Sequence, residues 1–217
     1  MRKGFLFLMA ALLVFGACQS KKESTKDIAG HVIIIGLDGW GTWSFEDGDT
    51  PFIKEKMKEG SWTLYKRTVR PSISGPNWAA MMNGTPVEVS GITGNEKEPT
   101  FKPLVQTEHK AQPTFFHLMR LERPDAETGV VCEWGDFQNY DDTIFMITSD
   151  HGHEGTGHGG DSTGEIETPF VVWGKGIKKN HEITEPMIQY DMAATVAKVF
   201  HLKTPNSWRG VPMDVFE

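Results

Sequence analysis

Two carboxylates stand where chemistry is easily built. Asp38 closes the apolar run HVIIIGL, and Asp150 closes a second one, TIFMITS. Asp150 also opens the string DHGHEGTGHGG, in which Asp150, His151, His153, Glu154 and His158 alternate with five glycines over residues 150–160. Carboxylate oxygens and imidazole nitrogens are the donors that Zn²⁺ or Mn²⁺ prefers, and glycines let a loop close tightly round an ion. The alternative is a solvated Gly/His turn that holds nothing. A third candidate is Ser74, two residues before Pro76 in the stretch RPSISGPNWAAMMNGTP. A hydroxyl at the start of a helix gains from backbone N–H groups and the positive helix end, both of which favour a phosphoryl anion. Asn77, in the first turn, is placed to donate to the same anion. A serine needs activation, and metal coordination supplies it by stabilising the alkoxide. A serine in this position also serves as an ordinary helix cap.

These side chains need elements to carry them. His31–Leu37 reads as a strand, apolar without interruption and so buried on both faces, as in a covered parallel sheet, and Thr143–Ser149 as a second apolar strand. Ligands in open α/β sheets collect beyond the carboxyl ends of such strands, so Asp38 and Asp150 are expected to face one crevice. Thr50, Pro51 and Gly60 bracket a helix, and Pro76 to Gly84 a second. Pro113 begins a third helix with Phe115, Phe116, Leu118 and Met119, and Asp191 caps a last one. Trp62–Tyr65, Val130–Trp134 and Pro169–Trp173 read as further strands, and residues 95–111 as an irregular surface excursion. Strands alternating with helices indicate an α/β fold. One connection is too short for it: eight residues, 135–142, separate two strands where a parallel crossover needs a dozen or more.

The segments VIIIGLDGWG, PSISGPNWAAMMNGTP and MITSDHGHEGTGHGG followed by ETPFVVWGKGI together resemble the alkaline phosphatase superfamily, and within it the type I phosphodiesterase/nucleotide pyrophosphatase-like branch. The resemblance runs through most of the chain from His31 onward. It implies a three-layer α/β/α sandwich around a mostly parallel sheet, and hydrolysis of a small phosphate ester through a phosphoserine. In that scheme Asp38, Ser74, Asp150 and His151 surround one divalent ion, zinc before manganese. Ser74 is the nucleophile, Asn77 holds a non-bridging oxygen, and His158 ligates a second ion. Relatives complete the second site with a DxxGH motif from a long segment before the SDHG strand. No DxxGH occurs here. The missing motif and the short connection both point to an internal truncation between about Trp134 and Thr143. The second ion is left with His158, and with His153, Glu154 or Asp161 as substitutes. Two outcomes therefore stand: an active hydrolase, or a catalytically degenerate relative that keeps the fold and at most one metal. A sulfatase is disfavoured, because its C/S-x-P-x-R signature here reads Ser74-Gly75-Pro76-Asn77-Trp78, with tryptophan in place of arginine.

The remaining sequence sets the context. Arg2 and Lys3 precede an apolar run from Phe5 to Phe15 and the small residues Gly16 and Ala17, the pattern of a signal peptide over residues 1–17. VFGAC resembles a bacterial lipobox, which implies lipidation of Cys18, a tether over residues 18–30, and an exported lipoprotein anchored by lipid alone in the periplasm, at the outer membrane or at the cell surface. The catalytic domain is expected over residues 31–217. Cys132, in GVVCEW, reads as a buried thiol. Lys+Arg total 22 against 29 Asp+Glu, a formal charge of −7, which disfavours a polymeric nucleic acid as partner. Hydrophobic residues at 38% exclude a disordered chain. Trp40, Trp43, Trp78 and Trp134 lie near the expected crevice in sequence, where packing explains them better than ligand stacking.

Overall fold

The structure, a computed structural model, describes residues 26–96, 98–129 and 143–217. Strand β1 spans His31–Leu37 and is followed by helices α1 (Thr42–Asp47) and α2 (Pro51–Glu59). Strand β2 (Gly60–Arg67) leads to α3 (Ser74–Asn83), the short α4 (Val87–Ser90) and α5 (Phe115–Glu122). Strand β3 is Thr143–Ser149, and α6 (Thr163–Ile166) precedes β4 (Glu167–Gly174). Strand β5 (His181–Glu182) and helix α7 (Asp191–Val199) complete the fold.

The strands form a single sheet in the order β1-β3-β4-β2-β5. β1 runs parallel to β3 and β5 parallel to β2, while β4 is antiparallel to both of its neighbours. Four of the five strands therefore point the same way, which makes the sheet mostly parallel, as the resemblance implies. β4 follows β3 through a loop and one turn of helix and runs back beside it. Helices cover both faces. On one, α3, α5 and α7 supply Met81, Leu118 and Val196 to a core shared with Ile144, Met146 and Phe170. On the other, Ile53 and Met57 of α2 pack on Phe145, Ile147 and Val171. This is the three-layer α/β/α sandwich.

β3 is the spine of the sheet, buried along its whole length, which accounts for its apolar stretch Ile144–Ile147. β1 has the same kind of sequence but is only half-buried, because it lies at the sheet edge among the described residues. α3 begins two residues earlier than the position of Pro76 implied, with Ile73 as its N-cap and Ser74 as the first helical residue. It ends at Gly84, whose φ of 63° is the left-handed geometry that glycine supplies at a helix end. Thr114 rather than Pro113 starts α5, its hydroxyl accepting from the His117 N–H at 3.3 Å. Asp191 is likewise inside α7, behind an N-cap at Tyr190, and its carboxylate accepts from the N–H groups of Ile188 and Val211.

Residues 27–29, placed by sequence in the tether, pack on the domain. Ala29 is buried, Ile28 N–H donates to the Val199 carbonyl at 2.9 Å, and Asp27 pairs with Arg123. The signal segment 1–17, Cys18, the strand expected at 130–134 with Cys132 and Trp134, and the short connection 135–142 lie outside the described residues. Among the described residues no helix is long and apolar enough to cross a membrane.

Candidate metal centre and nucleophile

The register of the two parallel strands builds the site. Leu37 stands level with Ser149, so the next residues along, Asp38 on one strand and Asp150 followed by His151 on the other, leave the sheet at the same end. Gly39 turns the chain just after Asp38 with a φ of 69°, a geometry that glycine adopts without strain. That turn aims the Gly39 N–H at Asp150 Oδ1, 3.0 Å away. The Ser149 hydroxyl knots the two strand ends together, accepting from Trp40 N–H at 2.8 Å and donating to the His151 carbonyl at 2.8 Å.

Asp150 and His151 are both buried. His151 Nδ1 lies 2.8 Å from the Gly152 carbonyl, which can only accept, so Nδ1 carries the ring proton and Nε2 presents a lone pair. Around Nε2 stand Ser74 Oγ at 3.1 Å, Asp150 Oδ2 at 3.4 Å and Asp38 Oδ1 at 3.6 Å. Ligand atoms of Asp38, Asp150 and His151 all lie within 4.8 Å of one another. Asp150 Oδ2 is buried and has no hydrogen-bond partner, an arrangement that costs free energy unless something positive meets it. Three acceptors facing one spot, with one hydroxyl proton among them, fit a divalent cation. Burial pushes the Asp150 carboxyl above the ordinary carboxylate range; the Gly39 N–H and His151 pull it down, and the charge of Asp38 raises it further.

Asp38 differs from Asp150 in its surroundings. Its side chain is 64% exposed, and Trp78 Nε1 stands 3.5 Å from Oδ2. Trp78 reaches that position because residue 36 is glycine: a Cβ there would sit 2.3 Å from the indole ring. Trp78 occupies the place where a sulfatase signature has arginine, and it packs against β1 instead.

Ser74 opens α3, so its hydroxyl emerges at the positive end of a helix of ten residues. It does not act as the cap. Asn77 is used otherwise than sequence implied. The carboxamide is fully buried, with Oδ1 accepting from Val69 N–H at 2.8 Å and Nδ2 donating toward the carbonyls of Val69, Pro71 and Ile73 at 3.3, 3.1 and 2.9 Å. It braces the loop that carries Ser74, and its N–H groups are spent on that loop. An asparagine that sequence reading passed over stands closer to the nucleophile's turn: Asn95 Oδ1 accepts from the Gly75 N–H at 2.7 Å. Its only sequence signal was its place at the start of a polar excursion with two prolines.

The His/Gly loop is divided. His158 is exposed and stacks on the His151 ring with centroids 4.3 Å apart, outside the three-residue group. His153 Nδ1 meets the Gly39 carbonyl at 2.8 Å and its ring stands edge-on to Trp43, Asp161 pairs with Arg70, and Glu154 forms a mutual backbone pair with Gly157. Among the described residues, the structure thus gathers one cluster with ligand geometry; of the substitutes considered for a second ion, His153 and Asp161 are engaged elsewhere and Glu154 lies outside the cluster.

Two further residues escaped the sequence reading. Lys66, on β2, and Gln189, just before α7, are fully buried directly behind Ser149 and Asp150. Burial pulls the Lys66 ammonium down to about 7, against the opposing pull of Asp150. A register irregularity in β2 between Thr63 and Lys66 turns this lysine inward, which simple alternation does not reveal.

Comparisons with known proteins agree with the fold. The family model described as type I phosphodiesterase/nucleotide pyrophosphatase matches residues 32–124, and the sulfatase model matches residues 125–202. A phosphopentomutase of Clostridium perfringens (strain 13 / Type A) is 32% identical over 90 residues, covering 42% of this chain and 22% of that protein. One from Alkaliphilus oremlandii (strain OhILAs) is 36% identical over 66 residues, covering 30% of this chain and 17% of its own length. The chain thus spans about a fifth of the length of the curated relatives it matches. Among solved structures, a 2-O GAG sulfatase superposes with a TM-score of 0.63 at 13% identity, over 86% of this chain and 73% of that one. At that identity the likeness is one of fold.

Proposed function

We propose, from the premise that the chain belongs to the alkaline phosphatase superfamily, that it hydrolyses small phosphate esters through Ser74 at a site built for one divalent cation. Asp38, Asp150 and His151 would hold the ion, zinc or manganese, since two carboxylates and an imidazole suit both, with zinc favoured. When bound, such an ion supplies Lewis acidity that lowers the pKa of a neighbouring hydroxyl and offsets phosphoryl charge.

The observation that carries this reading is the orphaned Asp150 Oδ2, facing the His151 lone pair with Ser74 Oγ 3.1 Å from that nitrogen. The chain's own residues divide the work. Ser74 Oγ gives up its proton to solvent and attacks phosphorus, the bond to the leaving alcohol breaks, and the alcohol leaves with a proton from solvent. The amino end of α3 faces the negative charge that accumulates on the phosphoryl oxygens. Water then cleaves the phosphoserine, releasing phosphate and restoring the hydroxyl. Asn77 keeps the nucleophile's loop in place, while Trp78 steadies the exposed carboxylate of Asp38.

The grouping of one ligand cluster among the described residues favours a mononuclear site over the paired ions of the resemblance. The sulfatase match to residues 125–202 supports a second reading, a sulfate ester as substrate. Trp78 in the signature's arginine position stands against it. We further place the protein outside the cytoplasm, anchored through a lipidated Cys18, on the strength of its amino-terminal sequence.

The test is turnover of chromogenic phosphate mono- and diesters and a sulfate ester with added Zn²⁺ or Mn²⁺, by the parent and Ser74→Ala. Phosphate ester turnover that Ser74→Ala loses, with a trapped phosphoryl group on residue 74 in the parent, is the expected result. Equal rates in the two proteins would overturn the assignment. Sulfate turnover with an aldehyde at residue 74 would establish the second reading.

A further inference from the structure

The carbonyls of Ser149 and Asp150 lie where the sheet has run out. On the β4 side the ladder of β3 ends with Thr148 opposite Phe170, so the groups just beyond it need other partners. Lys66 and Gln189 provide them. Lys66 Nζ donates to the Ser149 carbonyl at 2.7 Å and to Gln189 Oε1. Gln189 Nε2 donates to the Ser149 carbonyl at 3.1 Å and to the Asp150 carbonyl at 3.2 Å. Both side chains are fully buried, and backbone bonds hold their segments together: Gln189 N–H donates to the Arg67 carbonyl at 2.8 Å, and Arg67 N–H to the Met187 carbonyl at 2.7 Å.

A lysine is an expensive way to satisfy one carbonyl. Removing an amine from water costs several kcal/mol unless its surroundings repay it, and a neutral donor would do the same hydrogen bonding. What lysine adds is positive charge, or at least the positive end of its N–H dipoles, directed at the underside of a buried carboxylate. Charged or neutral, the amine keeps enough N–H groups for both of its acceptors. Gln189 fits the same design: its amide accepts from the lysine with one end and grips two successive carbonyls with the other.

We propose that Lys66 and Gln189 are positioning residues for the metal centre, a buried bracket that fixes the backbone of Ser149 and Asp150 so that the Asp150 carboxylate meets the cation in one orientation. The inference rests on the functional reading above, and it adds to that reading two residues that touch neither substrate nor ion. Groups behind a metal ligand characteristically change affinity about 10- to 100-fold when removed. The bracket is therefore expected to act on metal affinity and on turnover, while KM for substrate stays as it was.

The experiment uses the full chain stripped of metal and titrated with Zn²⁺, and separately with Mn²⁺, by calorimetry. Parent, Lys66→Met and Gln189→Glu are compared, and kcat and KM are measured at saturating metal. Gln189→Glu keeps an acceptor for Lys66 but loses the N–H groups that hold the two carbonyls. Both variants are expected to bind the same number of ions as the parent, with affinity weakened about 10- to 100-fold, and to lose kcat with little change in KM. Folded variants whose affinity and kcat stay within twofold of the parent would overturn the proposal, even if their melting temperatures fall, because that result describes a core contact only. Failure of both variants to fold would also overturn it, since it would assign the pair to the core. A parent that binds no ion would overturn the functional reading and the bracket together.

Discussion

Asp38 and Asp150 end adjacent parallel strands and offer the same kind of atom to the same point, yet one side chain is 64% exposed and the other is fully buried. Everything around Asp150 is fixed: Gly39 N–H on one oxygen, the Ser149 hydroxyl tying both strand ends, Lys66 and Gln189 on the carbonyls behind. Asp38 has one long hydrogen bond from an indole, lies 3.6 Å from His151 Nε2, and follows the strand at the sheet edge among the described residues. The difference teaches that the position a cation would take is set from the buried side. The exposed side closes on a geometry that already exists.

The largest effect that would break this comparison is at Asp150. Asp150→Asn is expected to abolish metal binding and to lower phosphate ester turnover by roughly a thousandfold or more, while the chelated protein melts no lower than the parent. The last point follows because a buried carboxylate oxygen without a partner is a cost in the metal-free state. A lowered melting temperature in chelator would show that Asp150 is held by contacts rather than kept for a cation. Ser74→Ala is expected to cost turnover on the same scale, roughly a thousandfold, with metal content unchanged. Calorimetry beside steady-state kinetics separates the two variants.

Asp38→Asn sharpens the comparison from the exposed side. Its metal affinity should fall about 10- to 100-fold with stoichiometry retained, a smaller loss than at Asp150. Equal losses at the two positions would mean that burial does not rank the ligands.

The pH dependence of the metal-free protein tests the buried side without any ion. Lys66 carries a folded value of about 7 against an ordinary 10.5, so the unfolded chain holds a proton that the folded chain has lost between these values. Its contribution to stability therefore rises as pH increases from about 7 toward 10, and its full cost is borne below about 7. Urea midpoints measured in chelator across this range should climb more steeply for the parent than for Lys66→Met. Parallel curves would contradict the burial of a titrating amine.

The smallest effect is expected at His158. It stacks on His151 without joining the ligand group, and a ring contact is worth about 0.5 kcal/mol at the low end, so His158→Ala should change metal affinity by no more than about threefold. Loss of a second stoichiometric ion in this variant would show that the site is dinuclear.

Much of this was legible in the sequence because strand ends announce themselves. An apolar run stopped by aspartate fixes both the strand and the direction in which the acid leaves it, so Asp38, Asp150 and His151 could be placed before any coordinates. Ser74 was visible through the proline two residues on, although the helix begins at the serine itself. Asn77 misled because position in a first turn says nothing of whether an amide is free; its hydrogen bonds run back to a loop whose path depends on tertiary contacts. Lys66 and Gln189 were hidden for a related reason. A lysine in a strand reads as solvent-facing, and only the register irregularity in β2 and the approach of the segment before α7 turn it inward. Burial at an edge was also beyond reach: β1 and β3 both read as apolar strands, and their different exposure follows their places in the sheet among the described residues.

The central claim is that Asp38, Asp150 and His151 make one cation site beside Ser74, anchored from the buried side. Elemental analysis of the full chain after dialysis against Zn²⁺ tests it most directly, with Asp150→Asn treated in parallel. The account predicts one zinc ion per parent chain and none in the variant. An equal zinc content in the two proteins, or no bound zinc or manganese in the parent, would contradict it.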